Sequence, residues 1–186
     1  TPSVSSAASD VYKRQSLIAH NGVEETEKWA KSFVSNFARK PQGNDRAQIM
    51  AVANGEADIA IANSYYIGLM LSGKKGSEQK NAAQKVGLHF PNQSGRGTHI
   101  NISGAGILKS SKNKENAEKL IEFLLSKYAQ SHIVNNTYEY PILSEVQPNF
   151  YILKFGESFK EDQLSVSNYG EFNPAAVKLM DRVGWE

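Results

Sequence analysis

The chain has 186 residues, 40% hydrophobic and 22% charged, enough for a sizeable core in one domain or two small ones. A net charge of +2, with lysines and arginines scattered among acids, offers no basic stripe for nucleic acid, and no apolar run reaches membrane-spanning length. Without cysteine there are no disulfides and no thiolate metal sites, so any metal must be held by oxygen and nitrogen.

Residues 1–15 are mostly small and polar and have no period; they lack the basic and apolar regions of a signal peptide. They are set outside the fold and expected to be non-native or disordered. Helical periodicity begins near Val23, with Trp29, Phe33 and Phe37 on one stripe and Pro41 ending the helix after Arg39-Lys40. Asp45 reads as the N-cap of a short helix to Asn54, closed by Gly55. Ser77 caps another helix to Lys85. Residues 86–90 read as a strand stopped by Pro91, and 98–103 alternate as a half-buried strand does, carried on through Gly104 and Gly106. The clearest helix spans 113–127, with Ala117, Leu120, Ile121, Leu124 and Leu125 on its apolar face. Asn173-Pro174 gives a helix start, cap then proline, for the last helix. Alternating helices and strands up to residue 108 predict an α/β fold, mainly helical thereafter.

The chemically distinctive stretch is 58–66. Ile59 to Ala62 read as a short buried strand, Asn63-Ser64 breaks it, and Tyr65 and Tyr66 follow just past its carboxyl end, where open α/β sheets bind ligands. In a turn, both phenols could aim at one point. A phenolate is a hard anionic donor suited to a hard cation such as Fe(III), which must help remove a proton with a reference pKa near ~10. On spacing alone, two aromatics packing a strand end is the commoner arrangement.

Several linked motifs carry a resemblance: Gly43 to Ile49, Gly55 to Tyr66, Gly95 to Gly106, Asn136 to Pro141 and Asp181 to Trp185. Together they resemble the ferric-iron-binding proteins, the substrate-binding components of bacterial ABC iron importers, from about Ser16 to the end. The resemblance implies a type II periplasmic-binding-protein fold. Residues 16–97 would form the second α/β lobe, 98–108 a strand crossing the hinge, and 109–186 a mainly helical region returning to a largely missing first lobe. It also implies that Tyr65 and Tyr66 bind Fe(III), with a synergistic anion near Asn63 and, less directly, Asn44. A further family tyrosine falls near Ser9; Tyr12 is not at the matching spacing. The implied setting is periplasmic, with an inner-membrane ABC permease as partner and a monomer when complete.

Two alternatives stand beside this reading. One is a binding protein of the same fold for another small cargo, an anion or polyamine, for which carboxylates or arginines would replace the tyrosines. The other is a metal-dependent hydrolase built on His20, His99 and Asp58, which no helix or strand brings to one face at ligand spacing. No catalytic triad, carboxylate pair or phosphate loop stands out, so no enzyme activity is expected. His20 reads as a packed or capping histidine and His99 as a strand-edge hydrogen bonder. Arg96 reads as a solvated loop arginine, and Glu139 as part of a turn rather than a ligand.

Overall fold

The computed structural model describes residues 1–5, 11–156 and 158–185. In chain order the elements are β1 (Ser3–Val4), α1 (Val11–Val34), α2 (Asp45–Ala53), β2 (Ile59–Ala60), α3 (Ser64–Leu71), α4 (Ser77–Ala83), α5 (Lys114–Leu124), α6 (Lys127–Thr137), α7 (Phe150–Leu153) and α8 (Ser167–Val183).

The strands pair in parallel, Ser3 opposite Ile59 and Val4 opposite Ala60. The sequence places residues 1–15 outside the fold, but Ser3 and Val4 are part of the sheet and Val11 to Gln15 begin α1. Val4 is buried with Ala51 and Ala57, beside Val52 and Ala60. Small polar residues conceal this role, because two residues of strand carry no readable period. A separate bridge from Ser3 to Phe37 shortens the helix expected to reach Lys40. Ser3 N–H donates to Asn36 O and Ala38 N–H to Ser3 O, both at 2.9 Å, and these bonds draw the chain out of helix after Val34.

α1 consists of two helical pieces joined at Gly22, whose φ of 79° and ψ of 168° suit glycine alone. The second piece starts where the periodicity begins, at Val23. Both pieces pack on α8 and on Trp185 just beyond it: Ile18, Ala30, Ala176, Leu179, Met180 and Trp185 form one core. Phe33 meets Trp185 at 5.1 Å and Phe37 meets it edge-on at 5.5 Å. The Arg14 guanidinium lies 3.5 Å from the Trp185 ring centre, and Trp185 Nε1 donates to Ser5 Oγ at 3.3 Å.

A second core joins α2, α3, α4 and α7 through Ile49, Ile67, Met70, Leu71, Ala82, Ala83, Tyr138 and Ile152. Each fully buried aliphatic side chain here is worth about 1.5–3 kcal/mol. Tyr138 ends α6 in the left-handed region, φ 64°, and seats its ring in this core.

Several expectations are corrected. Asn44 caps α2, accepting from the Arg46 and Ala47 N–H groups, so Asp45 is the first helical residue instead of the cap. α8 starts at Ser167, and Pro174 lies inside it, four residues beyond Gly170, whose carbonyl it leaves without the usual helical donor. The two strands expected at 86–90 and 98–103 are not formed. Within these two stretches Thr98 alone makes a bridge, to Glu161. Alternation marks a strand only if a neighbour supplies the ladder, and residues 101–106 are exposed instead.

Candidate metal-binding site

β2 leads through Ile61 and Ala62 to Asn63, the extended N-cap of α3 with φ −76° and ψ 139°. Tyr65 and Tyr66 thus occupy the first turn of a helix, not a loose turn. Their rings still approach each other, with centroids 4.4 Å apart and planes tilted by 39°. The structure therefore brings the two predicted phenols together on one edge of the α2–α3–α4 core, half-buried beside Ile67 and Met70.

Burial is the main force holding the Tyr65 proton in place. The neighbouring Tyr66 hydroxyl and the charges of Asp45 and Glu139 add to it, and together they push the Tyr65 pKa well above the usual phenol value. A phenol in that state stays neutral at physiological pH until a strong Lewis acid displaces its proton.

Both predicted anion-binding asparagines lie at this end of the helices. Asn44 spends its Oδ1 on α2, accepting at 3.1 Å from Arg46 N–H and 3.3 Å from Ala47 N–H. Asn63 makes no side-chain cap of its own. Its backbone N–H and its Nδ2 both donate to Asp45 Oδ2, at 2.8 and 3.2 Å. The Asp45–Asn63 contact joins the start of α2 to the start of α3. Sequence reasoning missed this use of Asp45. The available signal was two capping-type residues in succession, Asn44-Asp45, when a helix start uses one.

The other named residues are placed elsewhere. His20 Nε2 donates to Asp162 Oδ2 at 2.8 Å, and the buried carboxylate also accepts from Ser16 Oγ at 3.2 Å and Leu164 N–H at 3.1 Å. Burial works to raise the Asp162 pKa, but the bonds from Leu164, His20 and Ser16 outweigh it and hold the carboxyl below its ordinary value. Arg96, expected to be solvated, approaches the same carboxylate at 4.0 Å. His99 Nδ1 lies 3.3 Å from the Tyr169 hydroxyl, and burial pulls its pKa down to about 4. Asp58 is exposed, its N–H donating to Pro2 O at 2.9 Å, and shares no hydrogen bond or ion pair with either histidine among the described residues. No group of three or more His, Asp or Glu able to hold a metal occurs among the described residues. The hydrolase alternative therefore has no centre there. Glu139 accepts from Ser103 Oγ at 2.9 Å. The position near Ser9 lies outside the described residues.

Comparisons with known proteins bear on the family and the fold. The model of the bacterial extracellular solute-binding protein family matches residues 11–131. "Iron uptake protein A1" of Synechocystis sp. is 50% identical over 171 residues, covering 92% of this chain and 47% of that protein. A "Major ferric iron-binding protein" of Neisseria meningitidis is 31% identical over 145 residues, covering 78% and 42%. Among solved structures, a Trichodesmium protein in complex with iron and citrate superposes with a TM-score of 0.93 at 48% identity, covering all of this chain and 59% of that one. The ferric binding protein of Campylobacter jejuni gives 0.93 at 40% identity with the same coverage. The chain thus spans about half the length of the curated relatives it matches and about three-fifths of the solved structures. Its fold is that of these type II periplasmic binding proteins, which bind solutes without transforming them. The chain belongs to the bacterial extracellular solute-binding protein family.

Proposed function

We propose that this chain is the ferric-iron-binding part of a periplasmic substrate-binding protein, in which the Tyr65 and Tyr66 phenolates coordinate Fe(III) for delivery to an ABC permease. The observation that carries the reading is the ring pair itself, two phenol rings centred 4.4 Å apart in the first turn of α3. Phenolate oxygen matches a hard trivalent cation, and this pair is half-buried, where competing water is reduced. As each O–Fe bond forms, the phenolic proton passes to solvent, so capture releases protons and weakens as the pH falls. An anion completing the metal shell would meet the amide of Asn63 and the start of α2 at Asn44. The Trichodesmium relative carries citrate with its iron. Residues 16–97 would act as the tyrosine-bearing lobe with α7 and α8 packed on it, 98–108 as the crossing to a first lobe, and α5, whose Leu120 and Phe123 are exposed, as the part of 109–186 that returns to that lobe, giving a monomer. A polyamine or free anion is the competing cargo; of the two carboxylates whose charge acts on Tyr65, Asp45 is already engaged by Asn63 and Glu139 by Ser103.

The test is a titration with ferric citrate, with spermidine and inorganic phosphate run in parallel. Tyr65→Phe and Tyr66→Phe should each lower the iron affinity at least about tenfold, the range seen when metal-site groups are removed, while the melting temperature holds. Wild-type affinity in both variants, or tighter binding of spermidine or phosphate than of iron, would overturn it.

A further inference from the structure

The carboxylate of Asp45 has no evident reason to be buried in α2 unless it serves α3. It is 1% exposed, although charged groups are costly to remove from water. Its own helix does not need it as a cap, because Asn44 already accepts from Arg46 and Ala47 N–H. Instead its Oδ2 reaches the residue that opens α3, taking the Asn63 backbone N–H at 2.8 Å and the Asn63 Nδ2 at 3.2 Å. A carboxylate only accepts, so this contact fixes which end of the Asn63 amide faces inward. It also explains why Asn63, an ordinary helix-capping residue, makes no side-chain cap to α3.

Resting on the iron reading above, we propose that Asp45 is the positioning residue of the tyrosine pair. Its two hydrogen bonds lock the α3 N-cap to the start of α2 and so fix the direction in which Tyr65 and Tyr66 leave the first helical turn. Both tyrosines lie within three residues of Asn63, and no bend separates them from it. A rotation of the N-cap would therefore pass to both phenols directly. Metal sites need their donors held within a fraction of an ångström, and partners behind the ligands commonly supply that hold.

Three substitutions test this. Asp45→Asn keeps an acceptor oxygen in the same place, Asp45→Ala removes it, and Asp45→Ser suits a helix start but is too short to reach Asn63. Gln48→Ala is the control. Gln48 is equally buried in α2, bonded to Gln42 O and Asn44 O, and makes no bond to Asn63 or α3. Each protein is loaded with ferric citrate, and both the affinity and the position of the visible phenolate-to-iron band are recorded. Asp45→Ala and Asp45→Ser should lose about 10–100-fold in affinity with a displaced band. Asp45→Asn should stay within about threefold, and Gln48→Ala should keep the wild-type band even if less stable. If Asp45→Ala does not fold, Asp45→Ser decides. A coloured wild type with Asp45→Ser unchanged in affinity and band overturns the Asp45 assignment alone, as does an Asp45→Asn as damaged as Asp45→Ser. A wild type with no band at all removes the iron reading and this proposal with it.

Discussion

Gly68 lies so close against Tyr138 that a Cβ built on it would sit 2.8 Å from Tyr138 Cβ, and 2.9 Å from Ile152 Cδ1. This contact seats the end of α6 and the short α7 on the helix that carries the tyrosine pair. Gly68→Ala should therefore cost about 1–3 kcal/mol by overpacking, since both neighbours are fully packed. Urea unfolding of the variant reads it directly; an unchanged midpoint would show that the neighbours yield freely.

Gly97 and Gly104 separate two roles that the sequence runs together. At Gly97, φ is 99° and a Cβ would lie 2.5 Å from the Glu161 carbonyl, backbone that cannot swing aside. Gly97→Ala should break the Thr98–Glu161 bridge and lower stability by more than Gly68→Ala does. At Gly104 nothing lies within 4 Å of the added atom. With no close neighbour among the described residues, Gly104→Val should change the stability of this chain by no more than about 0.5 kcal/mol. Paired thermal melts would distinguish the two.

Acid should weaken the fold through His99. Its folded pKa, about 4, lies below the ordinary value of 6.5 because burial disfavours the charged ring, with Lys13 and Arg96 adding to this and Asp162 opposing it. Between those two values the unfolded chain binds more protons, so stability is fully present above about pH 6.5 and falls as the pH drops towards 4. The expected loss from this residue between pH 7 and 5 is about 1–2 kcal/mol. The depressed Asp162 acts with the same sign at lower pH, its contribution being present above the ordinary carboxylate pKa and lost as that carboxylate protonates. His99→Gln should flatten the pH 5–7 part of the profile in urea titrations. A profile as steep as wild type would contradict the assignment.

Leu179 and Leu120 test which helices carry the stability of this chain. Leu179 is 0% exposed between α8 and α1, whereas Leu120 on α5 is 57% exposed. Leu179→Ala should cost about 2–5 kcal/mol, and Leu120→Ala less than about 0.5 kcal/mol. Equal losses, measured by denaturant unfolding, would mean that α5 is packed against something in solution.

The sequence made parts of this arrangement legible for identifiable reasons. The stripe Trp29, Phe33, Phe37 announced a packed helix because aromatics at helical spacing have no other economical placement, and Trp185 is the partner they meet. Tyr65 and Tyr66 were legible as a pair because they follow a strand end, although their helical setting was not. Thr98 to Ser103 misled because alternation records which side chains are polar, not whether a neighbouring strand exists. Pro174 misled because a proline is acceptable inside a helix where the unpaired carbonyl four residues back is tolerated. Asp45 and Asp162 were illegible for a different reason. Their partners, Asn63 and His20, are separated from them by 18 and 142 residues, and no local pattern records such a bond.

The central claim, that the Tyr65 and Tyr66 phenolates hold Fe(III), is tested most directly by visible absorption of the iron-loaded protein. Ligand-to-metal charge transfer from phenolate to Fe(III) gives a distinct, intense visible band, whereas carboxylate and water ligation absorb mainly in the ultraviolet. The account predicts a visible band on loading with ferric citrate, weakened by Tyr65→Phe and by Tyr66→Phe and lost in the double variant. A band of undiminished strength in the double variant, or none in the wild type at saturating iron, would contradict it.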